Sequence, residues 1–263
     1  MTEPALAVAE AFVGARRDGR ALHAYPGAAP EDLAAAYRIQ SHAIRLDGRH
    51  IAGWKVGRIF PPDDARLRSN RLAGPIFADS VATATDGDVP EMPVFVDGFA
   101  AVEAEFLLHV APGFAGPVPH DDTTTRAVLD EVRLGIEIAS SPYPRINADG
   151  PAVTASDFGN NHGLVLGPAL ADWRSADLCG IEVTMMIGDA IVGRADAKAM
   201  LDGPYGAVRF LLANLAARGI DASGGLWVST GAVTGVHPVH PGQQVAAHFG
   251  DYGKLACQIV AAR

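Results

Sequence analysis

Three glutamates and one lysine have the residue types and the spacing to do chemistry. Glu103 and Glu105 stand in Ala101-Val102-Glu103-Ala104-Glu105-Phe106-Leu107. In an extended strand, residues i and i+2 point to one face about 6.5–7 Å apart, so the two carboxylates can lean toward one point. Val102, Ala104, Phe106 and Leu108 make the opposite face a core face. Ala101 and Leu107 share the glutamates' side and would be out of place in water, although an ordinary wet strand face is the simpler reading of the pair alone. Glu137 adds to it. In Leu134-Gly135-Ile136-Glu137-Ile138-Ala139 the two isoleucines point one way and Glu137 the other, between small residues. If the three carboxylates converge, two unit charges about 4–5 Å apart repel by roughly 3–4 kcal/mol at an effective dielectric of about 20. Such a set takes up a proton or needs a counter-cation. Carboxylate oxygens with open positions suit Mg²⁺ or Mn²⁺ rather than zinc, which prefers nitrogen and sulfur.

Lys55 lies in Gly53-Trp54-Lys55-Val56-Gly57, a short apolar segment. There an ammonium is costly unless it is paired, or it snorkels to water. Asp79 closes the apolar run Gly74-Pro75-Ile76-Phe77-Ala78 and can equally be a strand-terminal turn residue. Other motifs fail. Gly188 to Gly193 has phosphate-loop glycine spacing, but Arg194-Ala195 follows where Lys-Ser/Thr is required. No dinucleotide fingerprint, paired-histidine zinc motif or nucleophile elbow occurs. The histidines form no ligand-spaced cluster; His237 and His240 read as surface or rim residues, and His23 falls in a loop.

These side chains need elements to position them, and 263 residues with 49% apolar content can build a sizeable core. The balance of 21 basic against 30 acidic residues leaves −9. That argues against nucleic acid or an anionic membrane surface as partner, since both need a basic face. No uncharged apolar run reaches the ~18–20 residues of a membrane span, and the first residues lack the basic region of a secretory signal. Two distant cysteines, Cys179 and Cys257, suit a reducing compartment. The expectation is a cytoplasmic protein. Residues 1–48 read as a helical appendage, with helices from Ala5 to Arg17 and from the Pro30-Glu31-Asp32 start to Asp47-Gly48. Residues 49–263 read as a β-rich core, the whole effectively one domain. Strands are expected at 51–57, 100–110, 134–139, 226–230, 243–249 and 254–260, with a hairpin over 182–194 turning at Gly188-Asp189. Residues 58–98 read as an irregular excursion. A helix is expected from Asp121, with Val128 and Val132 at helical spacing, and another from Pro204 to Gly219. Many strands with few intervening helices predict a mixed β core rather than a doubly wound parallel sheet.

The ordered set of segments resembles the 2-keto-4-pentenoate hydratases. It runs through Ala15-Arg16-Arg17-Asp18-Gly19-Arg20, Ala36-Tyr37-Arg38-Ile39-Gln40, Gly53-Trp54-Lys55-Val56-Gly57, Pro75-Ile76-Phe77-Ala78-Asp79, Val102-Glu103-Ala104-Glu105 and Ile136-Glu137-Ile138-Ala139-Ser140-Ser141. Val165-Leu166-Gly167, a helix led by Gly203-Pro204, and Ser229-Thr230-Gly231 complete it. With the 4-oxalocrotonate decarboxylases, these enzymes belong to the fumarylacetoacetate hydrolase superfamily. The resemblance implies an α+β fold, a mixed β-roll or β-sandwich core with N-terminal and peripheral helices. It also implies Mg²⁺ or Mn²⁺ held by Glu103, Glu105 and Glu137, with Lys55 and Asp79 lining the substrate site, and a homo-oligomer. The implied activity is addition of water to a 2-hydroxy-2,4-dienoate in aromatic catabolism, giving a 4-hydroxy-2-oxo acid. Lys55 would assist charge stabilisation or proton transfer, and Asp79 would activate water. The alternatives are decarboxylation of a 2-oxo acid, C–C hydrolysis of an acylpyruvate (for which only His23 with Glu31 resembles the required dyad), and a catalytically silent 2-oxo-acid-binding or assembly partner. The sequence departs from the family at Arg58-Ile59-Phe60, at Pro142, and at Ser156-Asp157-Phe158. Arg58 either pairs with a second substrate carboxylate or is solvent-exposed.

Overall fold

A computed structural model describes residues 3–85 and 87–262. Two helices open the chain. α1 spans Pro4–Arg17 with its proline in the first turn. α2 spans Leu33–Asp47; the Asp32 carboxylate caps it by accepting from the Ala35 N–H at 2.7 Å, and Gly48 closes it in the left-handed conformation. Their apolar stripes meet through Val8, Phe12 and Val13 against Ile39 and Ala43, over a floor of Phe77, Tyr143 and Phe158. That floor is the cover the stripes require.

The rest is mostly strand. β1 (Ile51–Arg58), α3 (Asp63–Leu67), β2 (Arg71–Phe77), β3 (Val81–Thr83), β4 (Glu91–Val94), β5 (Phe99–Val110), α4 (Asp122–Ala127), β6 (Leu129–Ser141), α5 (Pro151–Ser156) and β7 (Asn161–Ala169) follow in order. Then come β8 (Glu182–Ile187), β9 (Ala190–Asp196), α6 (Gly203–Ala217), β10 (Leu226–Ser229), β11 (His237–Pro238), β12 (Gln244–Phe249) and β13 (Lys254–Ala261). The larger sheet runs β2-β1-β10-β5-β6-β7-β3, with β11 added to β5. The smaller runs β4-β13-β12-β8-β9. Both are mixed, with parallel pairs at β1·β10, β3·β7 and β4·β13. The mixed β-sandwich with peripheral helices agrees with the expected α+β class.

The main core lies between the sheets. Val102, Ala104, Phe106 and Leu108 from β5, with Ile136 and Ile138 from β6, face Val245, Ala247, Phe249, Leu255 and Ile259. Phe106 and Phe249 meet edge-on at 5.3 Å between centroids. The strand period of two therefore sends Glu103, Glu105 and Leu107 to the opposite face, and that face is buried as well.

Two sequence expectations need correction. Residues 58–98 are not an irregular excursion: β2 lies within them, buried at every position and paired antiparallel with β1. A strand covered on both faces shows no alternation, and Gly74-Pro75 imitates a turn. Pro75 is tolerated because β2 ends its sheet. The helix after Asp121 has only six residues, and β6 begins at Leu129. Val128 and Val132 thus share no helical face, and Val132 belongs to the sandwich core. Among the described residues no helix is long and apolar enough to cross a membrane.

Candidate metal centre

β5 and β6 pair so that Glu103 stands directly opposite Glu137, and Glu105 opposite Gly135. Directly paired side chains of an antiparallel ladder sit about 5 Å apart at Cβ. One oxygen from each of Glu103, Glu105 and Glu137 lies within 4.8 Å of the other two. Gly135 is needed here, because a Cβ in its place would lie 2.3 Å from Leu107 Cδ1. From the other side, β10 runs parallel to β1 with Ser229 beside Lys55.

Two of the carboxylates are each anchored through one oxygen. Glu105 Oε2 accepts from Ser229 Oγ at 2.5 Å and from the Gly231 N–H at 2.9 Å. Its Oε1 is buried without a hydrogen-bond partner among the described residues. Glu137 Oε1 accepts from Asn161 Nδ2 at 2.9 Å, while Oε2 makes no aligned hydrogen bond and faces Lys55 Nζ as an ion pair at 3.1 Å. Lys55 Nζ donates to Asn160 Oδ1 at 3.1 Å, and Asn160 Nδ2 donates to Asn147 Oδ1 at 3.0 Å. Asn160 belongs to a turn of three consecutive left-handed residues, Phe158, Gly159 and Asn160, with φ of 54°, 62° and 60°. This turn covers Lys55 and presses on β2 at Gly74. Gly74→Ala would put a Cβ 1.9 Å from the Phe158 carbonyl oxygen. A loss of about 2–3 kcal/mol in urea unfolding is expected, the upper part of the range for overpacking; an unchanged midpoint would show that the turn yields freely.

Three buried carboxylates and one ammonium leave an excess of negative charge. Burial, reinforced by Glu137 and opposed by Lys55, pushes Glu103 up to about 7. Burial together with Glu137 and Glu103 pushes Glu105 well above the usual carboxylate range. Burial alone would lower Lys55, but the carboxylates, Glu137 foremost, outweigh it and hold the ammonium above its ordinary value. Folded values above unfolded ones mean that the folded state holds more protons, so these groups favour folding at low pH and lose that contribution as pH rises. Metal-free protein is therefore expected to lose stability from about pH 4.5 to pH 7 through Glu103. Cation binding needs the deprotonated carboxylates, so the stabilisation by saturating Mn²⁺ should grow over the same window. Urea unfolding at pH 5 and pH 8, with EDTA and with Mn²⁺, measures both slopes.

The donor set fits a hard divalent cation: all-oxygen, anionic, convergent, and carrying an orphaned oxygen that water does not reach. The structure thus brings Lys55, Glu103, Glu105 and Glu137 together. Asp79 it does not. Lys55 pairs with Gly74, and three residues of strand, roughly 10 Å, separate Gly74 from Phe77 before the turn that carries Asp79. The Asp79 carboxylate is 61% exposed and bound to Arg49 at 3.2 Å, outside the carboxylate cluster. Arg58 is exposed, lies over Phe60 and donates to the Ala199 carbonyl. No ion pair joins His23 to Glu31 among the described residues. Sequence reading assigned no role to Ser229, Asn160 or Asn161. The one signal was the polar run Asn160-Asn161-His162 ahead of the apolar run that begins at Gly163.

Known proteins share this architecture. The 4-oxalocrotonate decarboxylase of Pseudomonas putida is 26% identical over 264 residues, covering 98% of this chain and 97% of the relative. Among solved structures, 4-oxalocrotonate decarboxylase from Pseudomonas putida G7, complexed with calcium and acetate, superposes with a TM-score of 0.80 at 22% identity, covering 99% of each chain. Fumarylpyruvate hydrolase from Pseudomonas aeruginosa, in complex with Mn²⁺ and pyruvate, superposes with a TM-score of 0.58 at 15% identity, covering 80% of this chain and 89% of that one. No protein-family model matches the sequence. The chain shares its overall fold with these solved structures. The sequence likeness to 4-oxalocrotonate decarboxylase extends over nearly the full length of both chains.

Proposed function

We propose that this protein is a divalent-metal-dependent decarboxylase of a short unsaturated 2-oxo dicarboxylic acid of the 4-oxalocrotonate type, with Glu103, Glu105 and Glu137 holding Mg²⁺ or Mn²⁺. The observation that carries the reading is the buried, convergent carboxylate set, with an unpartnered Glu105 oxygen, beside the ammonium of Lys55. The bound cation supplies a Lewis acid toward the oxygens of a 2-oxo acid. The protein's own groups do the rest. Ser229, the Gly231 N–H and Asn161 orient the carboxylates. Lys55, kept protonated by its neighbours, sets a positive charge where negative charge develops on the substrate's C2 oxygen. Loss of CO₂ from the far carboxylate sends an electron pair along the conjugated chain to that oxygen, which then takes a proton; Lys55 Nζ is the donor within this site.

Two features favour decarboxylation over the hydration expected from sequence. Water addition needs a base at the far carbon, and Asp79, assigned that task, lies exposed in a pair with Arg49. The similar proteins over the full length are decarboxylases by name. Acylpyruvate hydrolysis lacks its dyad, as His23 and Glu31 are not paired. The test supplies 4-oxalocrotonate and 2-hydroxypenta-2,4-dienoate separately, with Mg²⁺, Mn²⁺ or EDTA. Metal-dependent CO₂ release from the first, with the second untouched, is the expected result. Consumption of the dienoate without CO₂ would replace the reading with hydration, and turnover of neither would sink both.

A further inference from the structure

We propose that Arg16 is a positioning residue for the carboxylate cluster, reaching from α1 to clamp both ends of the left-handed turn that fixes Asn160 on Lys55 and Asn161 on Glu137. The proposal rests on reading that cluster as a metal site. The Arg16 side chain is 4% exposed and that of Asp157 1%. On one side of the turn, Arg16 Nε donates to Asp157 Oδ1 at 2.6 Å and Nη2 to Oδ2 at 2.9 Å, and Nη2 also reaches the Asp157 carbonyl at 3.4 Å. On the other side, Nη1 donates to the Asn161 carbonyl at 3.1 Å. Nη2 further donates to the Ser140 carbonyl at 3.3 Å, and Ser141 Oγ donates to Asp157 Oδ2 at 2.7 Å, which ties the clamp to β6 just beyond Glu137. Nη1 also faces His162 Nδ1 at 3.2 Å; burial, with Arg16 next, holds that imidazole down to about 3, so its nitrogen accepts.

The turn has reason to need a clamp. Left-handed backbone is unfavourable for residues with a Cβ and persists where the surroundings over-determine it. Phe158 and Asn160 are two such residues, and the Asn160 N–H closes the turn on the Asp157 carbonyl at 2.8 Å. The guanidinium also lies 5.0 Å from the Phe158 ring centroid. A buried ion pair is weak evidence for stability, since apolar replacements of similar volume often leave a fold as stable or more so. Its contacts instead bracket the two asparagines that touch the cluster, holding Asp157 ahead of them and the Asn161 carbonyl at the far end of the turn. Groups that orient metal ligands typically change affinity by about 10–100-fold when removed.

The test joins Arg16→Met to Asp157→Leu, removing both charges at similar volume. Three quantities are read: thermal midpoint, hydrogen exchange at the Asn160 amide, and Mn²⁺ affinity of the metal-free protein by titration calorimetry. A midpoint near that of the wild type, exchange faster by about 10-fold, and Mn²⁺ binding weaker by about 10–100-fold are expected. Arg16→Lys, which keeps the charge and loses the fork, should fall between, and it carries the same test if the double variant does not fold. Equal Mn²⁺ affinity and equal exchange in wild type and variant overturn the clamp while leaving the metal site standing. Failure of the wild type to bind Mn²⁺ overturns the metal site and the clamp with it.

Discussion

Glu105→Gln is expected to weaken Mn²⁺ binding by at least about 100-fold while making the metal-free protein more stable. The two effects have one origin. Glu105 Oε2 is held by Ser229 Oγ and the Gly231 N–H, and the amide oxygen of glutamine can accept both bonds. The substitution therefore changes mainly the unpartnered Oε1, which becomes an NH₂ group. An NH₂ cannot ligate a hard cation, and a neutral side chain no longer repels Glu103 and Glu137. In EDTA the variant should unfold at higher urea than wild type at pH 8, where the wild-type cluster is most charged. In excess Mn²⁺ the order should reverse, since wild type gains roughly 2.7 kcal/mol when free metal stands at 100 times its dissociation constant. A variant that is destabilised in EDTA and still stabilised by Mn²⁺ would mean that Glu105 is a structural residue and no ligand.

Lys55→Met tests the opposite charge. Lys55 Nζ is the ammonium beside Glu137 Oε2, at 3.1 Å, and both side chains are almost wholly buried. Removing one partner of such a pair costs about 3–5 kcal/mol, because the remaining charge is left uncompensated in low dielectric. The loss should be larger at pH 8 in EDTA than at pH 5, where Glu103 and Glu105, raised by burial, are protonated and the cluster carries less negative charge. Mn²⁺ replaces the missing positive charge, so the variant should regain most of its stability when loaded, with affinity at or above that of wild type. Turnover should not recover: removing a proton donor at the reacting atom lowers rates by about 10²–10⁴-fold. Stability restored by metal with activity still lost separates the two roles of Lys55. Loaded variant turning over at the wild-type rate would confine it to charge balance.

The contrast between Glu105 and Asp79 shows how far local pattern carries. Both are acidic residues beside apolar runs, and both fall in segments that carry the sequence resemblance. Strand alternation is a local property, so the side of β5 that carries Glu103 and Glu105 was legible in Val102-Ala104-Phe106 on the other face. The small residues flanking Glu137 were legible for the same reason, since a paired strand leaves room only where its neighbour's side chain is absent. Asp79 lies past the end of β2, where direction is set by a turn and by Arg49, thirty residues distant in sequence. No periodicity reports that.

By itself the sequence determined the class of fold, the helical start of the chain, most long strands, and the carboxylates and lysine able to share one chemistry. Period and turn residues encode these within a few positions of each residue. Only the tertiary structure decided which strands are neighbours. The β5·β6 register sets Glu103 against Glu137, and the parallel β1·β10 pair brings Lys55 to Ser229. It also decided that β2 is a strand buried on both faces and that the left-handed turn at Phe158 to Asn160 delivers two asparagines to the cluster. Register and long-range closure depend on the packing of segments more than a hundred residues apart, as from Lys55 to Asn160 or from Arg16 to Asp157. The free energy that selects them comes from burial, which no single segment contains.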